Sequence, residues 1–269
     1  MVRSTHDLRI GESEVVKRYR CWERGEPDRE WDGLSLLHGF APGLAPQPLR
    51  RRDEGGVPVI VMSRVPGESL GSSPLTPAQV AAVGQAMRRM YAAVPAQHLT
   101  GLPERRSGPA ELGGELRSWI RRPHEPTSPL VEFALTTAGT WVAGSEVTAL
   151  VGRLAERVFT QADGNIGNLI WDGSRCYVVD FEDCGVSDPA YEVADLVEHV
   201  SVWLPGLLEV EALVRSLGFT APQEARLSGF RRLMAIFWLF MLLPGNPASS
   251  RNPEGTVERQ AQRVLDLLH

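Results

Sequence analysis

The run from Gln161 to Asp195, QADGNIGNLIWDGSRCYVVDFEDCGVSDPAYEVAD, constrains this chain more than any other. Two short apolar stretches, Leu169-Ile170-Trp171 and Cys176-Tyr177-Val178-Val179, flank the turn Asp172-Gly173-Ser174-Arg175 and predict a tight hairpin. Asp163 and Asn168 stand just before its first strand, and Asp180 just after its second. One hairpin thus carries an acid, an amide five residues on, and an acid at the end of an apolar strand. The first carboxylate can orient or deprotonate a hydroxyl. The amide and the second acid are hard oxygen ligands of the kind that hold Mg²⁺. Asp and Asn favour turns in any protein, so it is the order and spacing of all three that carry the argument.

Lysine and arginine together number 28, and one of them is a lysine, Lys17 in EVVKRYR. Lysine is a compact point charge on a flexible stem, whereas arginine is a planar fork. A lone lysine on a predicted strand is suited to meeting phosphate oxygens, with a glutamate from the next helix holding it. Glu30, in PDREWDGLSLL, is placed to be that glutamate.

The totals exclude several classes. At 269 residues the chain fits one large domain or two lobes. A net charge of -5 argues against a nucleic-acid binder and suits a cationic small molecule. Cys21, Cys176 and Cys184 have no paired spacing and the histidines are scattered, so neither a disulfide framework nor a zinc site is expected. The N-terminal MVRSTHDLRIGE lacks an apolar stretch, so a cytoplasmic location is expected. The most apolar run, Ala235 to Leu243, is too short for a bilayer and predicts a buried helix, with no membrane partner.

Along the chain, residues 6–20 read as a hairpin, residues 27–39 as a helix with Asp28 as N-cap, Arg50 to Gly56 as a charged loop, and Val57 to Ser63 as an apolar strand. Residues 64–73 read as a linker, with a hinge near Met62–Val65. Thr76-Pro77 opens a helix through Ala93. Further helices are expected near 111–121, 129–136, 144–156, 189–202, 207–216, 222–243 and 256–268, with loops at Pro103–Pro109 and Pro123–Pro129. The expected fold class is α+β, a small β-rich lobe over residues 1–64 and a larger, mainly helical lobe over 65–269.

Taken together, Gln161-Ala162-Asp163…Asn168, Val179-Asp180-Phe181-Glu182 and Gly185-Val186-Ser187-Asp188-Pro189-Ala190-Tyr191-Glu192-Val193 resemble the aminoglycoside phosphotransferase and choline kinase family. These are small-molecule kinases of the protein-kinase-like fold. The resemblance spans nearly the whole chain. It implies ATP as co-substrate and Mg²⁺ as cofactor, with Asp163 the catalytic base and Asn168 and Asp180 the metal ligands. It also implies that Lys17, paired with Glu30, contacts the nucleotide phosphates, and that the backbone of Met62, Ser63 and Arg64 binds the adenine. Asp188 would brace the catalytic loop. Glu182, Asp183, Glu192, Asp195 and Glu198 would face a cationic acceptor, an antibiotic or an amino-alcohol metabolite. Trp203 and Trp238 are expected to pack in the core.

The chain departs from the family pattern twice. Gln161-Ala162 stands where the family has His-Gly, so the Gln161 amide is expected to replace the supporting histidine, while alanine resists the positive φ that glycine allows. The segment before Lys17 holds one glycine, Gly11, and no full glycine-rich phosphate loop, so either Met1 to His6 supplies a shortened one or the first strand is missing, and either would weaken nucleotide binding. These departures support a second reading, a catalytically weak or inactive relative acting as a binding or regulatory protein. A protein kinase is disfavoured because Asp180-Phe181-Glu182 replaces Asp-Phe-Gly and no Ala-Pro-Glu string follows.

Overall fold

The computed structural model describes residues 6–152, 154–246 and 249–269. The first lobe is a four-stranded antiparallel sheet with one helix. β1 (Asp7–Ile10), β2 (Glu14–Arg18), β3 (Pro48–Asp53) and β4 (Pro58–Ser63) lie in the order β1-β2-β4-β3, and α1 (Glu26–Phe40) connects β2 to β3. β4 is central and its Val59, Ile60, Val61 and Met62 are buried, which is why PVIVMS lacks polar alternation.

Two expectations need correction here. Arg50-Arg51-Arg52 is a strand, not a loop: β3 is an edge strand paired to β4, and its exposed arginines reach Glu14 and Asp28. Charged side chains along an edge keep it from pairing with another chain. Asp28 is also not the N-cap. Helix α1 begins at Glu26 behind Gly25, whose φ of 80° sets the turn, and Asp28 lies in the first helical turn.

The second lobe continues with β5 (Glu68–Ser69), α2 (Pro77–Tyr91), α3 (Ala96–Leu99), α4 (Pro109–Ile120), α5 (Pro129–Val142), α6 (Ser145–Val151), β6 (Val158–Thr160), β7 (Leu169–Trp171), β8 (Cys176–Val178), β9 (Gly185–Ser187), α7 (Pro189–Glu198), α8 (Val200–Trp203), α9 (Val210–Leu217), α10 (Ala221–Met241) and α11 (Thr256–Leu268). The stretch read as a linker carries β5, which pairs with β7 of the predicted hairpin. Gly67 makes this possible. It sits at φ 107°, and a Cβ there would lie 2.2 Å from the Trp171 carbonyl oxygen. The helix expected over 144–156 ends at Val151, and residue 153 lies outside the described residues.

Capping explains where helices start. Thr76 and Gln79 form a reciprocal capping box on α2. Asp188 caps α7, with one oxygen on the Ala190 N–H and the other on Arg226 and the Ala155 N–H. The helix expected over 189–202 breaks at His199, whose extended backbone and ring nitrogen open α8 instead. Helix α7 is buried on nearly all sides and packs along α10, whose Phe230, Leu233, Met234 and Leu239 form the centre of the core. The apolar run that was too short for a membrane is the end of this helix.

The lobes meet along α1. The Arg29 guanidinium donates to the Cys184 carbonyl at 2.6 Å and to the Glu104 carbonyl at 3.0 Å. The Val178 N–H donates to the Leu44 carbonyl at 3.0 Å. These contacts hold α1 and the loop after it against the second lobe, and the cleft lies between the lobes.

Candidate active site

Lys17 lies on β2, 4% exposed, at one end of this cleft. Its ammonium donates to Glu30 at 2.6 Å, to Asp180 at 2.6 Å and to Glu182 at 2.7 Å. The Tyr19 hydroxyl donates to the same Glu30 oxygen as Lys17, and the Phe181 N–H reaches the other at 3.3 Å. Burial alone would push the ammonium toward neutrality, but the charges of Glu30, Asp180 and Glu182 outweigh it and raise its pKa. Lys17 is therefore a fixed positive charge. The three carboxylates bring oxygens within 4.8 Å of one another, and the ammonium is the cation they surround.

His6 completes this end of the cleft. Its Nδ1 accepts the Arg20 N–H at 3.2 Å, which leaves the Nε2 proton for Glu182, 2.7 Å away. Burial raises the Glu182 pKa, yet His6 and Lys17 together bring it down to about 2. Of the expected short loop Met1 to His6, residues 1–5 lie outside the described residues. Gly11 is at the opposite, hinge end: its carbonyl accepts from Arg64, and the neighbouring Ser13 carbonyl accepts the Arg64 N–H.

The catalytic loop runs from β6 to β7. Asp163 opens on a small recess shared with Gln161, Asn165 and Asn168, beside the main cleft. One of its oxygens accepts the Asn165 N–H at 2.9 Å, the other the Asn168 side-chain amide at 2.7 Å. A single turn thus presents both residues, as the five-residue spacing requires. With its NH₂ on Asp163, Asn168 has its carbonyl oxygen left as a ligand. Gly164 packs against α7 so closely that a Cβ would lie 2.4 Å from the Asp195 carbonyl oxygen. Burial, together with the charges of Asp195 and Asp180, pushes the Asp163 pKa up to about 6 against the opposing Asn165 N–H.

Two non-glycine residues here adopt left-handed backbone, Ala162 at φ 71° and Asp180 at φ 67°. The Gln161 side chain spans them. Its NH₂ donates to the Asp180 carbonyl at 2.7 Å, and its carbonyl accepts the Asp163 N–H at 3.1 Å. Alanine does take the φ expected of glycine, and the amide joins the base-bearing turn to the metal-ligand turn.

The cleft has a volume of about 410 Å³. Leu8, Val15 and Met62 line it from the first lobe, Ile170 and Val179 from the second. Lys17, Asn168 and Asp180 close one end, and Ser63, Arg64 and Val65 the other. The N–H groups of the Met62–Val65 segment are mostly committed. Ser63 N–H donates to the Gln47 carbonyl and Arg64 N–H to the Ser13 carbonyl, each at 2.8 Å, while Met62 pairs with Val15 in the sheet. Val65 carries the next amide, since Pro66 has none. The Ser63 and Arg64 amides are therefore engaged within the protein itself.

Residues 6–230 match the phosphotransferase enzyme family. The chain belongs to that family. It is 31% identical over 215 residues to the viomycin phosphotransferase of Streptomyces vinaceus, covering 70% of this chain and 68% of that one. Among solved structures, it superposes on a choline/ethanolamine kinase family protein from Mesorhizobium loti with a TM-score of 0.66 at 15% identity, covering 99% of this chain and 86% of that one. The spectinomycin phosphotransferase solved with ADP and spectinomycin gives 0.61 at 13% identity, over 99% and 89% of the two chains. These structural likenesses establish the protein-kinase-like fold. The chain is an enzyme of the kinase type, acting on a small-molecule hydroxyl.

The acids expected to face an acceptor are paired with basic residues of this chain. Glu192 and Asp195 lie 2.8 and 3.0 Å from the guanidinium of buried Arg105. Glu198 is fully buried, with both oxygens on Arg231 and Arg263 at 2.7–2.9 Å. Asp183 lies between Arg24 and Arg106. Each acid thus has a basic partner from this same chain, and the run of negative charge seen in the sequence is neutralised by residues distant from it. Trp203 packs under Arg263, and Trp238 stands edge-on to His199.

Glu198 is a core anchor joining α7 to α10 and α11. Glu198→Ala leaves two arginines without their carboxylate. It is expected to cost about 2 kcal/mol, less than a fully buried pair because both guanidinium groups are partly exposed. The melting temperature should fall by about 4–8 °C. A melting curve matching the parent's would remove Glu198 from the framework.

Proposed function

We propose that this enzyme moves the γ-phosphoryl group of ATP to a hydroxyl of a small molecule, with Mg²⁺ assisting and Asp163 as the base. One observation carries the reading: Lys17, Asn168 and Asp180 line one cleft, Lys17 donates to Asp180 at 2.6 Å, and the Asn168 side chain also holds Asp163 at 2.7 Å. Leu8 and Ile10, on the cleft side of β1, are 49% and 64% exposed, an apolar surface that a nucleotide base would cover.

The donor set suits Mg²⁺. The Asn168 carbonyl and the Asp180 carboxylate are hard oxygens, and two protein ligands leave positions for phosphate oxygens and water. When bound, Mg²⁺ neutralises phosphate charge that would repel the nucleophile. Lys17 adds a fixed positive charge beside it. Asp163 orients the acceptor hydroxyl and takes its proton as the oxygen–phosphorus bond forms. The bond between the γ-phosphorus and its bridging oxygen breaks, and ADP leaves with that electron pair. A donor such as ATP is in keeping with the cytoplasmic location expected from the sequence. No helix among the described residues is long and apolar enough to cross a membrane.

Relatives named for viomycin, spectinomycin and choline make these the first acceptors to try. The test is ADP release from Mg-ATP with each compound. Acceptor-dependent ADP release supports the reading, whereas no release with any compound and no Mg-ATP binding would favour the inactive relative.

The base assignment sets the pH profile. Asp163 must be ionised to accept a proton, and its pKa is raised to about 6. Activity is therefore expected to be full well above pH 6 and to fall toward tenfold per unit below it in kcat/KM, which reports the free enzyme. A profile flat from pH 7 to 5 would contradict Asp163 as base.

A further inference from the structure

Arg105 comes from the loop between α3 and α4, a stretch without any motif, and yet it is one of the most heavily engaged side chains in the protein. It is 6% exposed. One guanidinium NH₂ donates to the Ala162 carbonyl at 2.9 Å. The other donates to Glu192 at 2.8 Å and to Asp195 at 3.0 Å, and Nε reaches the Arg106 carbonyl at 2.9 Å. The group also lies over the Tyr191 ring, 5.1 Å from its centre. Its backbone is fixed too, by the Arg105 N–H on the Val186 carbonyl.

The Ala162 carbonyl it holds belongs to the residue at φ 71° that precedes Asp163. Left-handed backbone is unfavourable for alanine and persists only where the surroundings enforce it. Gln161 fixes this turn from the side of Asp180. Arg105 fixes it from the side of α7, where Glu192 and Asp195 anchor the guanidinium.

We infer that Arg105 is a positioning residue of the phosphotransferase. Together with Gln161 it clamps Ala162 in the left-handed conformation and so aims Asp163 at the acceptor hydroxyl. It supplies by contact the conformation that glycine would adopt unaided. Its action is through the backbone of residue 162, and it touches no substrate.

Arg105→Lys tests this without stripping the charge from Glu192 and Asp195. A lysine can neutralise the two acids, but it lacks the fork that also reaches the Ala162 carbonyl. The kinetic arm rests on the proposed function and uses slow hydrolysis of Mg-ATP, with water as acceptor. Arg105→Lys should lower kcat by about tenfold, one hydrogen bond's worth, with KM for ATP within about twofold. Adding Ala162→Gly should recover most of that loss, because glycine needs no clamp. A purely structural role would lower the melting temperature and leave kcat unchanged, or would leave the kcat loss unrescued by glycine; either result overturns the inference.

The stability arm needs no activity. Ala162→Gly in the parent should raise the melting temperature by about 2–4 °C by relieving the strained alanine. In the Arg105→Lys background that gain should vanish, because the turn has already left the strained state. An equal gain in both backgrounds overturns the clamp whether or not the protein hydrolyses ATP. A wild type that releases no ADP from Mg-ATP with any acceptor but passes the stability arm would count against the proposed function alone.

Discussion

Asp163→Ala is expected to lower kcat by about 10²–10⁴-fold, the range that a positioned general base supplies, while Mg-ATP affinity stays within about threefold. The split follows from the geometry. Asp163 contacts Asn165 and Asn168 but neither Lys17 nor Asp180, so its removal leaves the nucleotide end of the cleft assembled. Asn168 loses the partner for its side-chain NH₂ and gains some freedom, which accounts for the small change in affinity. Turnover within about threefold of wild type in Asp163→Ala would remove the residue from the chemistry. A collapse of Mg-ATP affinity equal to the fall in kcat would make it a binding group instead.

Asp180→Asn is expected to weaken Mg-ATP binding by on the order of a hundredfold, because a metal-ligand charge is worth several kcal/mol and each 1.4 kcal/mol is tenfold. Asparagine is the suitable replacement. It tolerates the left-handed backbone found at this position, φ 67°, better than most residues. It also keeps an oxygen for the Lys17 ammonium, which retains Glu30 and Glu182. The Gln161 bond is to the backbone carbonyl of residue 180 and survives the change. The effect is thus confined to the charge at the metal. Equilibrium binding with and without Mg²⁺ checks this: Asp180→Asn should bind ATP with little dependence on Mg²⁺. Wild-type Mg-ATP affinity in the variant would mean that the metal is held elsewhere.

The parts of the site that were legible in the sequence are those built from neighbours. Asp163, Asn168 and Asp180 are positioned by one hairpin and one tight turn, so spacing alone predicts their convergence. The Lys17–Glu30 pair required a strand followed by a helix, and both were visible in the periodicity. What the sequence concealed depends on long-range contacts. Glu192, Asp195 and Glu198 read as an acidic face because their partners, Arg105, Arg231 and Arg263, stand far away along the chain. Arg105 carried no local signal, since an arginine in a proline- and glycine-rich loop is ordinarily solvated. The arginine triplet of β3 looked like a turn because an edge strand can be polar on its exposed side, and only pairing with β4 reveals it. The Ser63 and Arg64 amides are similar, since the carbonyls of Gln47 and Ser13 that hold them are distant in sequence.

The central claim is a working Mg-ATP site, and titration calorimetry of the wild-type protein with ATP in the presence of Mg²⁺, beside Asp180→Asn, tests it most directly. Mg-dependent binding by the wild type, lost in the variant, is the predicted result. No heat from the wild type with either ATP or GTP would contradict it and leave the chain an inactive relative of the enzymes it resembles.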